Sequence, residues 1–120
     1  MTDYLTLEDA LTISDEMGLV VRDSGLVAAA VARPAASAFG ADAYPFLHLK
    51  IAALIDGVNR NHALLDGNKR LSWVCGVVFA RLNGLDLAAG QQDIFDTISR
   101  VAAGDVSLEE LAGWVKTRLQ

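Results

Sequence analysis

Nine consecutive residues, His62-Ala63-Leu64-Leu65-Asp66-Gly67-Asn68-Lys69-Arg70, put a proton acceptor, a carboxylate, a Gly-Asn turn and two cations in one stretch, directly ahead of a strongly apolar segment. Those residue types suit phosphate chemistry. An imidazole takes up a proton near neutral pH, and a carboxylate holds a divalent cation such as magnesium. The first turn of a helix offers an anion unpaired N–H groups and a partial positive charge.

Each residue also has an ordinary structural use. Asp66-Gly67 can be a plain turn, Asn68 a helix N-cap and Lys69-Arg70 a solvated edge. The combination argues otherwise. Cations at a helix N-terminus oppose its dipole by roughly 0.3–1 kcal/mol each, a conflict that a bound anion removes, and a turn has no use for a histidine four residues upstream. A β-hairpin around Asp66-Gly67 lacks strands, because only Leu64-Leu65 precede the turn and helical periodicity follows it. Zinc is poorly served by two histidines, His48 and His62, and the single Cys75. His48 falls inside the preceding helix, where packing or surface exposure accounts for it.

The elements that must position this stretch read as all-α. Thr6 and Asp9 form a capping box for a first helix that stops near Gly18. Ser24 caps a short Ala-rich helix that ends before Pro34. From Arg33 to Ala43, around Phe39-Gly40, the residues are small, and an exposed loop or flap is expected. Tyr44-Pro45 opens a third helix with Leu47, Ile51, Leu54 and Val58 on one face, aimed at His62. After the motif, Leu71, Val74, Cys75, Val78, Phe79 and Leu82 share a helical face, and Trp73, Gly76, Val77 and Ala80 fill the others. A helix apolar nearly all round is expected at the centre of the domain. It stops at Asn83-Gly84. Two more helices follow, one carrying Ile94, Ile98 and Val101, the other opened by a Ser107 cap, and the sole strand signal is a short extension at Leu85 to Leu87.

Composition narrows the function. A chain of 120 residues makes one domain, 1–120, with a core that needs no disulfide. The apolar run from Leu71 to Ala80 is about half of what a bilayer requires, so no membrane association is expected. The first residues carry neither the basic start nor the apolar run of a secretory signal, so a cytoplasmic location is expected. With a net charge of −5 and its ten Lys and Arg scattered apart from Lys69-Arg70, the chain lacks the basic face of a nucleic-acid binder.

The motif His-x-x-x-Asp-Gly-Asn-Lys-Arg resembles the signature of the Fic/Doc superfamily, and its lysine before the arginine resembles the Doc (death-on-curing) branch. The likeness runs through Asp23-Ser24-Gly25-Leu26, Ala32-Arg33-Pro34, Tyr44-Pro45, Arg60-Asn61-His62 and Leu82-Asn83-Gly84, nearly the whole chain. It implies a single Fic/Doc domain with a compact six-helix fold and a short flap before the third helix. By position it implies His62 as general base, Asp66 as the magnesium ligand, and Gly67, Asn68, Lys69 and Arg70 as the nucleotide-phosphate site. Arg33, Phe39 and Gly40 fall in the flap that aligns a target segment.

The same resemblance implies the toxin of a toxin–antitoxin module, partnered by a Phd-type antitoxin. Such a toxin uses ATP and Mg2+ to phosphorylate a hydroxyl of a translation factor, elongation factor Tu, and arrests translation. Lys69 stands where AMP-transferring Fic enzymes usually have glycine, and Trp73 where many have a phosphate-gripping arginine, so both point away from AMP transfer. Ala63 and Leu64 replace the common Pro and Phe, and Leu64 is expected to keep the loop anchored in the core. The nearest match to the family's self-inhibitory helix, Thr12 to Glu16, is followed by Met17, which favours control by a separate antitoxin. Two alternatives stay open: a Fic-type AMP transferase, and a non-catalytic antitoxin-binding module.

Overall fold

The computed structural model describes residues 1–120. Six helices carry the chain: α1 Leu7–Glu16, α2 Ser24–Ala32, α3 Leu47–Asn61, α4 Asn68–Leu82, α5 Gln91–Ala102 and α6 Leu108–Lys116. The sheet content is one two-stranded hairpin, β1 Ser37–Ala38 and β2 Ala41–Asp42, paired antiparallel. No helix is long and apolar enough to cross a membrane.

Local chemistry sets most helix ends. Thr6 and Asp9 close the expected capping box on α1, and Ser107 with Glu110 closes another on α6. Gly18 takes a left-handed φ of 71° just past α1. The cap of α2 is Asp23, not Ser24: its carboxylate accepts from the N–H groups of Gly25 and Leu26, and Ser24 is already helical. The third helix starts at Leu47, two residues later than Tyr44-Pro45 suggests, with Phe46 in extended geometry as its N-cap.

The centre of the domain is α3, not α4. Every residue from Lys50 to Asn59 is buried, and α2, α4, α5 and α6 all pack around this helix. In α4 only the stripe of Leu71, Ser72, Cys75, Gly76, Phe79 and Ala80 is buried, while Trp73, Val74, Val77 and Val78 are partly open. Apolar content favours α4, but α3 buries two charged residues, Lys50 and Asp56, by pairing them in part with groups far away in sequence. Asp56, 4% exposed, accepts at 2.8 Å from both Arg33 and Arg60. Lys50, 2% exposed, reaches the Pro34 carbonyl and the Asp42 carboxylate at 3.3 Å each, and lies 5.4 Å from the centre of the Tyr4 ring. Burial works against the Lys50 charge, but its bonds to Tyr4 and Asp42 outweigh this and raise its pKa.

Helices α3 and α4 approach closely at Gly76, where a Cβ would meet Ile55 Cδ1 at 3.0 Å. Cys75 sits in the same buried stripe, fully enclosed, and burial pushes its thiol pKa up to about 12. Beyond α4, Leu87 bridges to Leu119, so the suspected strand at Leu85 to Leu87 is a single pairing that fastens the chain's last residues. On α5, Asp93 accepts from Trp114 at 3.0 Å and from Arg118 at 2.6 Å. These two bonds hold its carboxyl below the usual range and latch the α6 end to α5.

Candidate functional site

The loop between α3 and α4 begins with strain. His62 closes α3 in the left-handed region (φ 47°, ψ 46°), a conformation seldom held by a residue with a side chain. Its carbonyl accepts from Arg22 Nη2 at 3.1 Å, which fixes the backbone while the imidazole stays exposed. Ala63 and Leu64 then drop into the core, at 4% and 2% exposure. The Ala63 carbonyl accepts from the N–H groups of Arg22 and Asp23, and Leu64 bridges to Val21. Leu64 therefore anchors the loop as its apolar character suggests.

Asn68 does not cap α4. That position belongs to Gly67, at φ 91°, and Asn68 is the first helical residue. Its side chain turns back onto Leu64, accepting from the Leu64 N–H at 3.1 Å and donating to the Leu64 carbonyl at 3.2 Å. This amide clamp shapes the loop, and it leaves the N–H groups of Asn68, Lys69 and Arg70 without a partner in the chain. Gly67 is required twice over. Its φ favours glycine, and a Cβ there would come within 2.7 Å of Leu19 Cδ2 and 3.3 Å of Arg70 Nη2. Replacing Gly67 by Ala is expected to cost roughly 1–3 kcal/mol and to displace Arg70. Urea unfolding checks the first effect, and an NMR shift of the Arg70 guanidinium checks the second.

His62, Asp66, Gly67, Asn68, Lys69 and Arg70 line one hollow of about 370 Å³, together with Asn59, Leu65 and Ala102. The structure thus gathers the whole motif into one site. Asp66 is its sole carboxylate, with one oxygen accepting from the Gly67 N–H at 2.8 Å and the other uncommitted. Lys69 and Arg70 are exposed and form no ion pair. Two cations, three free N–H groups and the positive end of a fifteen-residue helix therefore converge on the hollow.

The flap divides. Phe39 and Gly40 form the tip of the β1–β2 hairpin, both with positive φ, and Phe39 is fully exposed. Arg33 is not part of that exposed segment. It lies in a 3-10 turn, Arg33–Ala35, half-buried against Asp56 and Tyr44, whose hydroxyl accepts from its Nε at 3.1 Å. Burial opposes the Arg33 charge, but the bonds to Asp56 and Tyr44 prevail and raise its pKa further. The mobile-looking stretch of small residues is thus a hairpin riveted at its base by Arg33 and Lys50. Small side chains concealed this from the sequence, as did partners that lie on α3.

His48 stacks on Phe46 with ring centres 5.6 Å apart, and desolvation, then the charge of Lys116, lowers its pKa; it stays outside the hollow. Trp73 also stays outside, edge-on to Trp114 at 5.8 Å. It lines a neighbouring apolar groove of about 620 Å³ between α4 and α5 that shares Lys69 and Arg70 with the hollow.

The helical domain thus sets a histidine at the end of one buried helix against the unpartnered N–H groups that open the next, within the motif that resembles the Fic/Doc signature. The chain belongs to the Fic/DOC family, whose model matches residues 3–80. It is also similar to a curated protein of Mycolicibacterium smegmatis (strain ATCC 700084 / mc(2)155), Toxin Doc, at 47% identity over 117 residues, covering 93% of this chain and 90% of that protein.

Proposed function

We propose that this protein is the toxin of a toxin–antitoxin pair and a protein kinase that moves the γ-phosphate of ATP to a hydroxyl of a translation factor, elongation factor Tu, arresting translation. The observation that carries this reading is the single hollow in which His62, Asp66, Lys69 and Arg70 meet the free N–H groups of α4. The likeness to a toxin named Doc supports the biological role, and a Phd-type antitoxin follows as partner. The α4–α5 groove beside the hollow, lined by Trp73, Val74, Ile94 and Phe95, offers an antitoxin tail an apolar seat.

The donor set fits magnesium that arrives with a nucleotide. Asp66 is the one carboxylate present, and no three acidic, histidine or cysteine residues cluster anywhere in the chain, so phosphate oxygens and water would complete the shell. Held by Asp66, magnesium would supply neutralisation of the charge spread over the transferring phosphoryl group.

The remaining chemistry belongs to the chain. Lys69, Arg70 and the α4 N–H groups bind and orient the phosphates. His62 takes the proton of the target hydroxyl while that oxygen bonds to the γ-phosphorus and the bond to the β-γ bridging oxygen breaks, releasing ADP. The Lys69 side chain adds a charge beside the phosphates where AMP-transferring relatives have none, which supports γ- over α-phosphoryl attack.

Incubation with elongation factor Tu and ATP labelled at either phosphate tests this reading. Label from the γ position alone is expected on the factor. Label from the α position would make the enzyme an AMP transferase. Label from neither, with growth inhibition intact in a His62→Ala variant, would leave a non-catalytic antitoxin-binding module.

A further inference from the structure

The last turn of α3 holds a polar side chain with an unmet bond. Asn59 is 2% exposed and lines the hollow, and its Nδ2 donates to the Ile55 carbonyl at 2.9 Å. Its Oδ1 is the one buried side-chain polar atom in the chain with no hydrogen-bond partner. Turning the amide over would press oxygen against the Ile55 carbonyl, so the Ile55 bond fixes Oδ1 as the free atom. A buried acceptor left open is unfavourable and calls for a donor.

His62 stands three residues further along the same turn and lines the same hollow. The one side-chain hydrogen bond that reaches His62 ends on its backbone carbonyl, so the imidazole is unpaired. A histidine that accepts a proton on one nitrogen needs the other held as N–H by an acceptor, which fixes both tautomer and ring orientation. Asp66 cannot serve as that acceptor while it holds a metal. Lys69 and Arg70, the charged side-chain donors around the hollow, are exposed and, with the free N–H groups of the next helix, serve the phosphates.

We propose that Asn59 is the positioning residue of the base: its Oδ1 accepts the N–H of one imidazole nitrogen of His62 and leaves the other nitrogen free to take the hydroxyl proton. This rests on the reading of His62 as the general base. With the His62 backbone already held by Arg22, the unpaired imidazole is the part left free to turn toward Oδ1.

Imidazole nitrogen NMR of the 15N-labelled protein, free and with ATP and magnesium, at about pH 8.5, above the ordinary imidazole range, tests the proposal with His48, the other histidine, as internal reference. The parent should show one His62 tautomer in the loaded state. Asn59→Leu, which keeps bulk and loses the acceptor, should show averaged ring nitrogens, whereas Asn59→Asp, which keeps an acceptor, should retain the single tautomer. In phosphate transfer, Asn59→Leu should lose roughly 10- to 100-fold in kcat with the KM for ATP unchanged. An averaged His62 in the loaded parent, a single tautomer surviving in Asn59→Leu, or the same change in both variants overturns the proposal. An Asn59-dependent tautomer in a protein that transfers no phosphate would instead overturn the kinase reading and leave this pairing standing.

Discussion

A His62→Ala variant is expected to transfer phosphate roughly 100- to 10,000-fold more slowly than the parent, which is the usual contribution of a placed general base, while binding ATP almost as well. The separation follows from the layout of the hollow. The groups proposed to grip phosphate are Lys69, Arg70 and the free N–H groups at the start of α4, all on the far side of the loop from the last turn of α3 that carries His62. The imidazole bonds to none of them, so on the proposed reading its removal should take away proton transfer and leave the anion site standing. Because His62 is exposed and already strained at φ 47°, the truncation should cost the fold little. Initial rates of γ-label transfer to elongation factor Tu, beside ATP-analogue titration, are the measurement. A rate within about tenfold of the parent's would move the base elsewhere.

The second large effect is on stability. Leu64→Ala is expected to destabilise the protein by about 2–5 kcal/mol, the range for emptying a buried leucine site, and this is a sizeable part of the roughly 5–15 kcal/mol that holds a domain together. Leu64 is 2% exposed in the main core, bridges Val21 through its backbone, and is gripped on both main-chain groups by the Asn68 amide. A cavity there loosens the loop that presents Asp66 and Gly67, so activity per folded molecule should fall as well. Urea unfolding gives the first number, and transfer rates well below the unfolding midpoint give the second. An unchanged midpoint would mean that the loop is held by its backbone bonds alone.

Much of this site is legible in the sequence, because it is local. A base, a carboxylate, a glycine that tolerates φ 91° and two cations sit within nine residues, and their order already implies a loop running into a helix N-terminus. The capping boxes at Thr6 and Ser107 are local in the same sense. What escapes the sequence is pairing over distance. Arg33 looks like a flap residue until Asp56, 23 positions away, claims it. On apolar content α4 takes the central place and only one face of α3, that of Leu47, Ile51, Leu54 and Val58, is marked for the core, whereas in the fold Lys50 and Asp56 are paired and α3 is enclosed. Asn68 illustrates a subtler limit: asparagine before a helix reads as a cap, and only the proximity of Leu64 shows that its amide secures the preceding loop.

The enclosed Cys75 has a practical consequence. With its thiol shut inside α4's buried stripe and its pKa pushed up to about 12, the native chain is expected to stay unlabelled by maleimide dyes at neutral pH. A Phe39→Cys substitution at the hairpin tip would then give a site-specific fluorescent reporter with the native cysteine left in place, and the unmodified protein would serve as its own blank.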